Sequence, residues 1–405
     1  MNLSAEHLPS RCDVLVVGAG PAGSAAAIQL ANGGLDVVLV DQHAFPRDKV
    51  CGDALIPDAH AALKQLGLLR AVMAKARPVA HVGCVAPRGG RVDVPGTLAV
   101  LPRRVLDDML CRAAVLSGAR MIAPARFVEP LVEAERVVGA RLRGRECVRD
   151  VQARWVVLAT GAVPQALMAA GMCKRQLPSS VALRGYVRHP GMEGKINALD
   201  IVWDRALKPG YGWVFPCGEG LFNIGVGVAH GHRGVGSAKR DEANLRDIFE
   251  TFTRIYAPAR ELMAGGRLEG DLKGAPLRCT LEGAAWSRDG LLVTGEAAGS
   301  TYAFTGEGIG KAMETGMLCA EAILGGGGDD VVRSDYENSL KRLKPRFDLY
   351  ERANQVNAHP WLADLLVWRA RRSPRLVKRM SGVLDETSNP GHLVSVRGMV
   401  KLFTQ

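Results

Sequence analysis

The sequence predicts an α/β chain: a parallel sheet assembled from separate pieces, a β-rich insertion between them and a helical tail. Three observations carry this. Residues 12–41, CDVLVVGAGPAGSAAAIQLANGGLDVVLVD, read as strand, glycine turn, helix and second strand. Apolar strands running into glycine turns return at Trp155–Gly161 and Gly290–Gly299. Between them the pattern changes to the β-rich runs VALRGYVRH, ALDIVW, YGWVFP and FNIGVGV. Alternation of strand and helix argues for a parallel sheet, and clustered strands for a second layer.

The first element carries the clearest chemistry. Val14 to Val17 form a short apolar run that ends in Gly18-Ala19-Gly20-Pro21-Ala22-Gly23. Gly18 makes the turn, Gly20 lets the backbone approach a pyrophosphate, and Gly23 lets the helix lie close on the strand. The helix that follows places Ala25, Ala26, Ala27 and Ala31 at helical spacing. Its N-terminus offers unpaired N–H groups and the positive dipole end to an anion. Asp41 closes the second apolar run, Val37 to Val40, and is placed to accept from ribose hydroxyls. An acid there disfavours a 2′-phosphate, so the expected ligand is FAD or NAD rather than NADP.

The loop QHAFPRDKVCG, 42–52, leads to a helical stretch at Pro57–Leu69. Residues 78–101 read as strands and turns punctuated by Pro95-Gly96. A helix is expected over Val105–Ser117, stopped by Gly118, and a hairpin around Arg143–Cys147. After the β-rich run come a helix at 237–256, an irregular link at 267–279 and a buried strand at Gly290–Thr294. Thr305-Gly306-Glu307-Gly308-Ile309-Gly310 opens a helix to Leu324, the stretch Gly325–Asp330 is a flexible break, and 331–405 is helical and basic. The nucleotide-binding part is therefore split over 1–179 and 281–330, with 180–280 inserted and 331–405 appended.

The 405 residues suffice for about two domains. No run of about twenty apolar residues occurs, and the first ten residues lack a signal-peptide core. Nine scattered cysteines with no CxxC pair point to a reducing cytoplasm without disulfides or zinc. His230 and His232 read as a loop pair rather than a metal site. The 52 Lys and Arg against 41 Asp and Glu give a formal charge of +11, which suits acidic partners such as phosphates or anionic lipid. Arg369, Arg371, Arg372, Arg375, Lys378 and Arg379 lie beside Trp361, Leu365, Leu366, Val367 and Trp368, the composition of an interfacial helix; a solvated helix packed on the body is the alternative. Peripheral contact with the inner face of a membrane is thus one of two readings, and no nucleic-acid role is expected.

Five pieces of the sequence resemble the geranylgeranyl reductase family: GAGPAGSAAA with Asp41, PRDKVCGDAL at 46–55, Arg103 with Asp107, YGWVFP with NIGVGV, and GEAAG with TGEGIGKAMETG. That family shares a glutathione-reductase-type fold with group A flavin monooxygenases and flavin-dependent halogenases. The resemblance implies an FAD-binding Rossmann-like domain of the GR2 type. It implies that Gly18, Gly20, Gly23 and Asp41 bind the ADP half, Arg103 reaches the phosphates or ribityl chain, and Phe127 lies at the adenine. It places Gly295 and Glu296 at the ribityl and pyrophosphate end, and Thr305, Gly306, Gly308 and Ile309 at the isoalloxazine. Pro21, Ala22, Gln42, Lys49, Cys51, Gly52 and Gly161 complete the expected cofactor-binding set. Cys51, Tyr211 and Trp213 are the expected catalytic residues, and no metal is expected. On a strand, Tyr211 and Trp213 share a face and can line one wall; core packing is the competing role for them, and a small buried hydrophobe the competing role for Cys51.

The sequence departs from these relatives in four places. Glu296 stands where the family carries Asp. Ala159-Thr160-Gly161 replaces the Asp-Gly of group A monooxygenases, Ala303-Phe304 replaces a proline before Thr305, and the halogenase WxWxIP is reduced to Tyr211-Gly212-Trp213. Lys75, in the region of the halogenase lysine, reads as solvated. The resemblance implies an FAD-dependent reductase of carbon–carbon double bonds in an isoprenoid or other long apolar or polycyclic substrate. The alternative is a monooxygenase, halogenase or oxidase tailoring a secondary metabolite; a non-enzymatic flavin-binding or membrane-docking module is a third reading. No second GxGxxG is present, so electrons are expected from outside, from NAD(P)H or a ferredoxin-like donor.

Overall fold

The computed structural model describes residues 3–229 and 244–393; His230, His232 and the last twelve residues lie outside them. The chain begins with β1 (Arg11–Val17), α1 (Pro21–Asn32) and β2 (Val37–Val40). There follow β3 (Ala54–Leu55), α2 (Pro57–Gln65), α3 (Leu69–Met73), the pair β4 (Arg77–Val85) and β5 (Arg91–Val100), and α4 (Arg103–Leu116). Next are β6 (Arg120–Ile122), β7 (Arg126–Glu133), β8 (Arg136–Arg143), β9 (Val148–Leu158) and α5 (Gln165–Ala169). The insertion holds β10 (Ser180–Arg188), β11 (Leu199–Val202), β12 (Gly210–Gly218), β13 (Leu221–Ala229), α6 (Leu245–Ile255), α7 (Ala257–Gly265) and β14 (Arg267–Leu277). The chain then returns through β15 (Ser287–Arg288), β16 (Leu291–Val293) and α8 (Ile309–Gly325) to α9 (Asp329–Ala353), α10 (Gln355–Ala358), α11 (Trp361–Ala370) and α12 (Pro374–Leu384).

Two sheets form. The first runs β15-β16-β9-β1-β2-β6, parallel from β16 to β6, with β7 and β8 added antiparallel beyond β9. The strand β1 lies between β2, reached through α1, and β9, reached much later, so the order reverses at its C-terminal end. Such a switch point leaves a crevice for a ligand. The second sheet runs β14-β10-β13-β12-β11-β4-β5-β3.

The second sheet departs from the sequence expectation twice. The strands β3, β4 and β5, counted with the nucleotide-binding part, join the inserted strands through the parallel β4–β11 pair, in which Val82 faces Leu199. Pairing between such distant segments leaves no local pattern. Residues 267–277, read as an irregular link, form the edge strand β14, antiparallel to β10. Its Arg267, Glu269, Asp271 and Lys273 are polar, most of the strand is solvent-facing, and Gly270 at φ +77° breaks the register. That exposure removes the apolar alternation by which a strand is read.

Small residues set the helix spacing on the first sheet. A Cβ on Gly316 would lie 2.2 Å from the Ala22 carbonyl oxygen, and one on Gly33 would lie 2.3 Å from Leu324. So α1 and α8 pack closely and run in the same direction, the start of α1 against the middle of α8 and its end against the end of α8. Both N-termini therefore open on the same side of the sheet. Around the second sheet, α11 and α12 cover β4 and β5 and share an apolar cluster with Val79, Val94, Trp213 and Phe215.

Candidate functional site

The two sheets enclose a cavity of about 1090 Å³. That volume exceeds the usual range for one drug-sized ligand, about 300–1000 Å³. The expected cofactor-binding and catalytic residues line it, except Gly23 and Gly295, which act one layer behind. A Cβ on Gly23 would meet the Gly18 carbonyl oxygen at 1.8 Å, and one on Gly295 (φ +64°) would meet Ala22 at 2.5 Å. Both glycines thus let neighbouring backbones approach.

One end of the cavity is polar and cationic. At the start of α1 the direction of a Gly20 Cβ points to the guanidinium groups of Arg47, at 3.6 Å, and Arg103, at 4.0 Å. Asp107, fully buried, fixes both: Arg103 donates to it from Nε at 2.6 Å and from Nη2 at 2.9 Å, and Arg47 from Nη1 at 3.0 Å. A helix N-terminus facing two clamped guanidiniums across an unencumbered glycine fits an anionic diphosphate. Arg47 was not singled out from the sequence, although it stands in the PRDKVCGD segment; one basic residue in a loop carries no signature of its own.

Asp41 is more heavily engaged than its expected ribose role suggests. It accepts from the backbone N–H of Ala19 at 3.0 Å and of His43 at 2.9 Å, and from Nε and Nη2 of Arg47 at 3.3 Å. A carboxylate offers about four acceptor positions. The two contacts from Arg47 are the longest of the four. Glu296 follows Gly295 in a single turn that ends at the left-handed Gly299. Its carboxylate lies 3.9 Å from Lys49 Nζ and accepts from Thr301 Oγ1 at 3.4 Å.

The middle of the cavity is built on the 48–53 loop. Gly52 lies against Phe215 and Trp213, where a Cβ would come to 2.9 Å and 3.7 Å. Asp53 is fully buried at φ +65° and ties the loop to the second sheet. It accepts from Tyr186 Oη, from Asn223 Nδ2 at 2.7 Å and from the Arg103 backbone N–H at 3.2 Å. Burial pushes its carboxyl up to about 6, opposed by the Tyr186 hydrogen bond, the Arg184 charge and the Asn223 amide. Asn223 also donates to the Cys51 carbonyl oxygen at 2.7 Å and accepts from Trp213 Nε1 at 2.9 Å. Arg184, stacked on Tyr186, donates to Asp48 and to the Lys49 carbonyl oxygen. Asp53, Tyr186, Arg184 and Asn223 were not singled out from the sequence, because they come from three separated segments. Burial, the largest influence, raises the Cys51 thiol, so Cys51 is held as a neutral thiol.

The far end is apolar and aromatic. Tyr211 and Trp213 lie on one face of β12 with ring centroids 6.3 Å apart, and Trp203, Phe215 and Phe304 extend the wall. The Tyr211 hydroxyl donates to the Thr305 carbonyl oxygen at 2.8 Å, so it also holds the loop before α8. Behind that loop lies a carboxylate group unused by the sequence reading. The Asp58 carboxylate packs against Gly310, where a Cβ would meet it at 2.3 Å. Burial pushes Asp58 up to about 7 and raises Glu307 well above the usual carboxylate range. Lys311, 3 % exposed, pairs with Glu314 at 2.6 Å and Glu386 at 2.8 Å.

Known proteins resemble this chain over most of its length. Residues 11–179 match the family model of an FAD binding domain. Over 335 residues the chain is 34 % identical to a menaquinone reductase of Mycolicibacterium smegmatis, covering 79 % of this chain and 78 % of that one. Over 351 residues it is 30 % identical to digeranylgeranylglycerophospholipid reductase 1 of Methanopyrus kandleri, covering 85 % and 89 %. Among solved structures, a geranylgeranyl bacteriochlorophyll reductase-like protein of Thermoplasma acidophilum superposes with a TM-score of 0.70 at 22 % identity, covering 98 % and 96 %. A flavin-dependent brominase gives 0.73 at 18 % identity, covering 97 % and 99 %, a likeness of fold. FAD is the cofactor these matches imply, and the Gly20 cradle with its two guanidiniums fits the diphosphate of that group. The chain belongs to the geranylgeranyl reductase family of FAD-dependent oxidoreductases.

Proposed function

We propose that this enzyme saturates carbon–carbon double bonds in an isoprenoid or comparably long apolar substrate. The observation that carries this reading is one cavity that is polar and cationic at Gly20 and Arg103 and apolar at Trp203, Trp213, Leu366 and Val367. The two sequence relatives described above are named menaquinone reductase and digeranylgeranylglycerophospholipid reductase. In this reading the first sheet with α1 and α8 holds the nucleotide, and the second sheet with α11 and α12 holds the substrate. Contact with a lipid surface belongs to it, since such substrates reside in membranes.

Reduced flavin, when bound, supplies a hydride. The chain does the rest. The α1 N-terminus, Arg47 and Arg103 would hold the diphosphate, Asp41 and Phe127 the adenosine, and Thr305, Gly306, Gly308 and Ile309 at the start of α8 the ring system, where the positive helix end would favour negative charge. Tyr211 and Trp213 orient the apolar chain and exclude water. Cys51 holds a proton on Sγ at neutral pH and is the donor to the second carbon. Electrons come from outside, from NAD(P)H or a ferredoxin-like protein.

The test is anaerobic incubation of chemically reduced holoenzyme with a polyprenyl quinone and with a geranylgeranylated lipid, followed by mass spectrometry. A gain of two hydrogens per turnover is expected. Oxygen or halogen incorporation in air, with no saturation under nitrogen, overturns the reading.

A further inference from the structure

We infer that the outer face of α11 and α12 seats the enzyme on an anionic lipid surface, directly over the apolar end of the cavity. The purpose of this contact rests on the apolar-substrate reading above; its test does not.

The helix α11 is two-sided. Inward, Leu362, Ala363, Leu366, Val367 and Ala370 are buried against the second sheet, and Ala363, Leu366 and Val367 line the cavity. Outward, Trp361 and Trp368 are 52 % and 47 % exposed. Seven residues apart, they stand two turns along the same face. The sequence holds six tryptophans, and the other four are buried or half-buried. Exposure of this residue type is thus confined to α11. Tryptophan prefers the boundary between headgroups and acyl chains, where its ring is apolar and its N–H finds a polar partner.

The charge around the two rings has one sign. Arg371, Arg372, Arg375, Lys378 and Arg379 are exposed at the end of α11 and along α12. The Arg372 guanidinium lies over the Trp368 ring at 5.0 Å. Between 361 and 380 the sequence has one acid, Asp364, which accepts from the Arg88 backbone N–H and lies 3.9 Å from its Nε. Exposed aromatics ringed by cations complement a surface of anionic headgroups over an apolar layer. Nucleic acid would also meet the charge, but it gives no reason for the helix to line an apolar chamber. Met380, Val383 and Leu384 of α12 and its C-terminal end line that chamber too. The two helices are therefore the partition between the docking face and the substrate cavity.

The experiment is co-sedimentation of FAD-loaded enzyme with phosphatidylcholine vesicles, with and without phosphatidylglycerol. Binding is expected only with the anionic lipid and is expected to fall with added salt, as screening shortens electrostatic reach to about 8 Å at physiological ionic strength. Two variants are compared: R371E/R375E/K378E, and W361S/W368S. Each should lose vesicle binding by about tenfold or more, equivalent to about 1.4 kcal/mol, while keeping its flavin absorbance. Wild-type enzyme that stays in the supernatant, or a charge-reversed variant that binds as wild type, overturns the proposal; so does binding to DNA or RNA in place of vesicles. Turnover of a detergent-solubilised isoprenoid is measured in parallel. Turnover without vesicle binding sinks the docking surface alone, and vesicle binding without turnover sinks the substrate reading alone.

Discussion

At Gly20 the protein itself has room for a side chain, and this separates two roles that glycines play in one motif. The nearest atoms to a Cβ there are the ends of Arg47 and Arg103, at 3.6 Å and beyond. Gly18 is different: it sits at φ +103°, and a Cβ would lie 2.3 Å from the Ala159 carbonyl oxygen. So Gly20→Val should leave the apoprotein melting temperature nearly unchanged and abolish flavin retention. Gly18→Ala should lower stability even without cofactor, by more than the roughly 1–3 kcal/mol of an unfavourable backbone region. Calorimetry of flavin-free protein separates the two; equal destabilisation by both variants contradicts the assignment of Gly20 to the diphosphate. Asp58 carries the second prediction. Its carboxyl is raised by burial to about 7 from the ordinary 3.8, against the pull of Lys311 and reinforced by Glu386. A carboxyl with a raised folded-state value stabilises the fold when protonated, and that contribution is lost as pH rises through about 7. The melting temperature of the wild type should therefore fall as pH rises from about 4 to about 7 and level off above, and that of Asp58→Asn should fall less over the same range. Parallel curves would show that Asp58 ionises without cost.

Among the elements, the close approach of α1 to α8 near the start of α1 requires Gly316. Valine at Gly316 would force a side chain into the Ala22 backbone, 2.2 Å from a Cβ. The helices must separate or tilt, and with them the two N-termini that open on the cavity. Gly316→Val should lower stability by about 1–3 kcal/mol, the usual cost of overpacking, and weaken FAD binding although it touches no ligand. Thermal melts with a flavin titration check this, and wild-type affinity in a destabilised variant would refute the link. These two helices are also where the sequence was most legible. GAGPAG and TGEGIG announce helix starts, since a tight turn and close backbone approach demand glycine at fixed spacing. Tyr211 and Trp213 were legible by strand periodicity, and they do share a face. The strand β14 was not, because an exposed edge carries no apolar alternation, and neither was the attachment of β4 and β5 to the inserted strands. Asn223, Asp53 and Tyr186 escaped for a third reason: each is a single polar residue whose meaning comes only from the other two.

Across the whole molecule, the cationic and the apolar ends of the cavity meet at a loop that belongs to neither sheet. Residues 48–53 leave the first sheet and are held to the second by Asn223, which binds the Cys51 carbonyl oxygen, Asp53 and Trp213 together. A ligand that touches both this loop and the Gly20 cradle therefore draws on two layers at once. Any ligand bound only by the folded state raises stability by mass action, about 2.7 kcal/mol at a hundredfold excess over its dissociation constant. That gain depends on affinity, and a loop already held in place costs less to order on binding. Asn223→Ala removes the clamp and leaves the buried Trp213 N–H without its acceptor, a loss of about 1–3 kcal/mol. Two effects should then appear in one experiment. The flavin-free variant should melt below wild type, and at a fixed FAD concentration the rise in melting temperature should be smaller than in wild type, because the loop must be ordered at the moment of binding. An equal rise in both proteins would mean that the two layers hold the cofactor independently, and that the Asn223 contacts serve the second sheet alone.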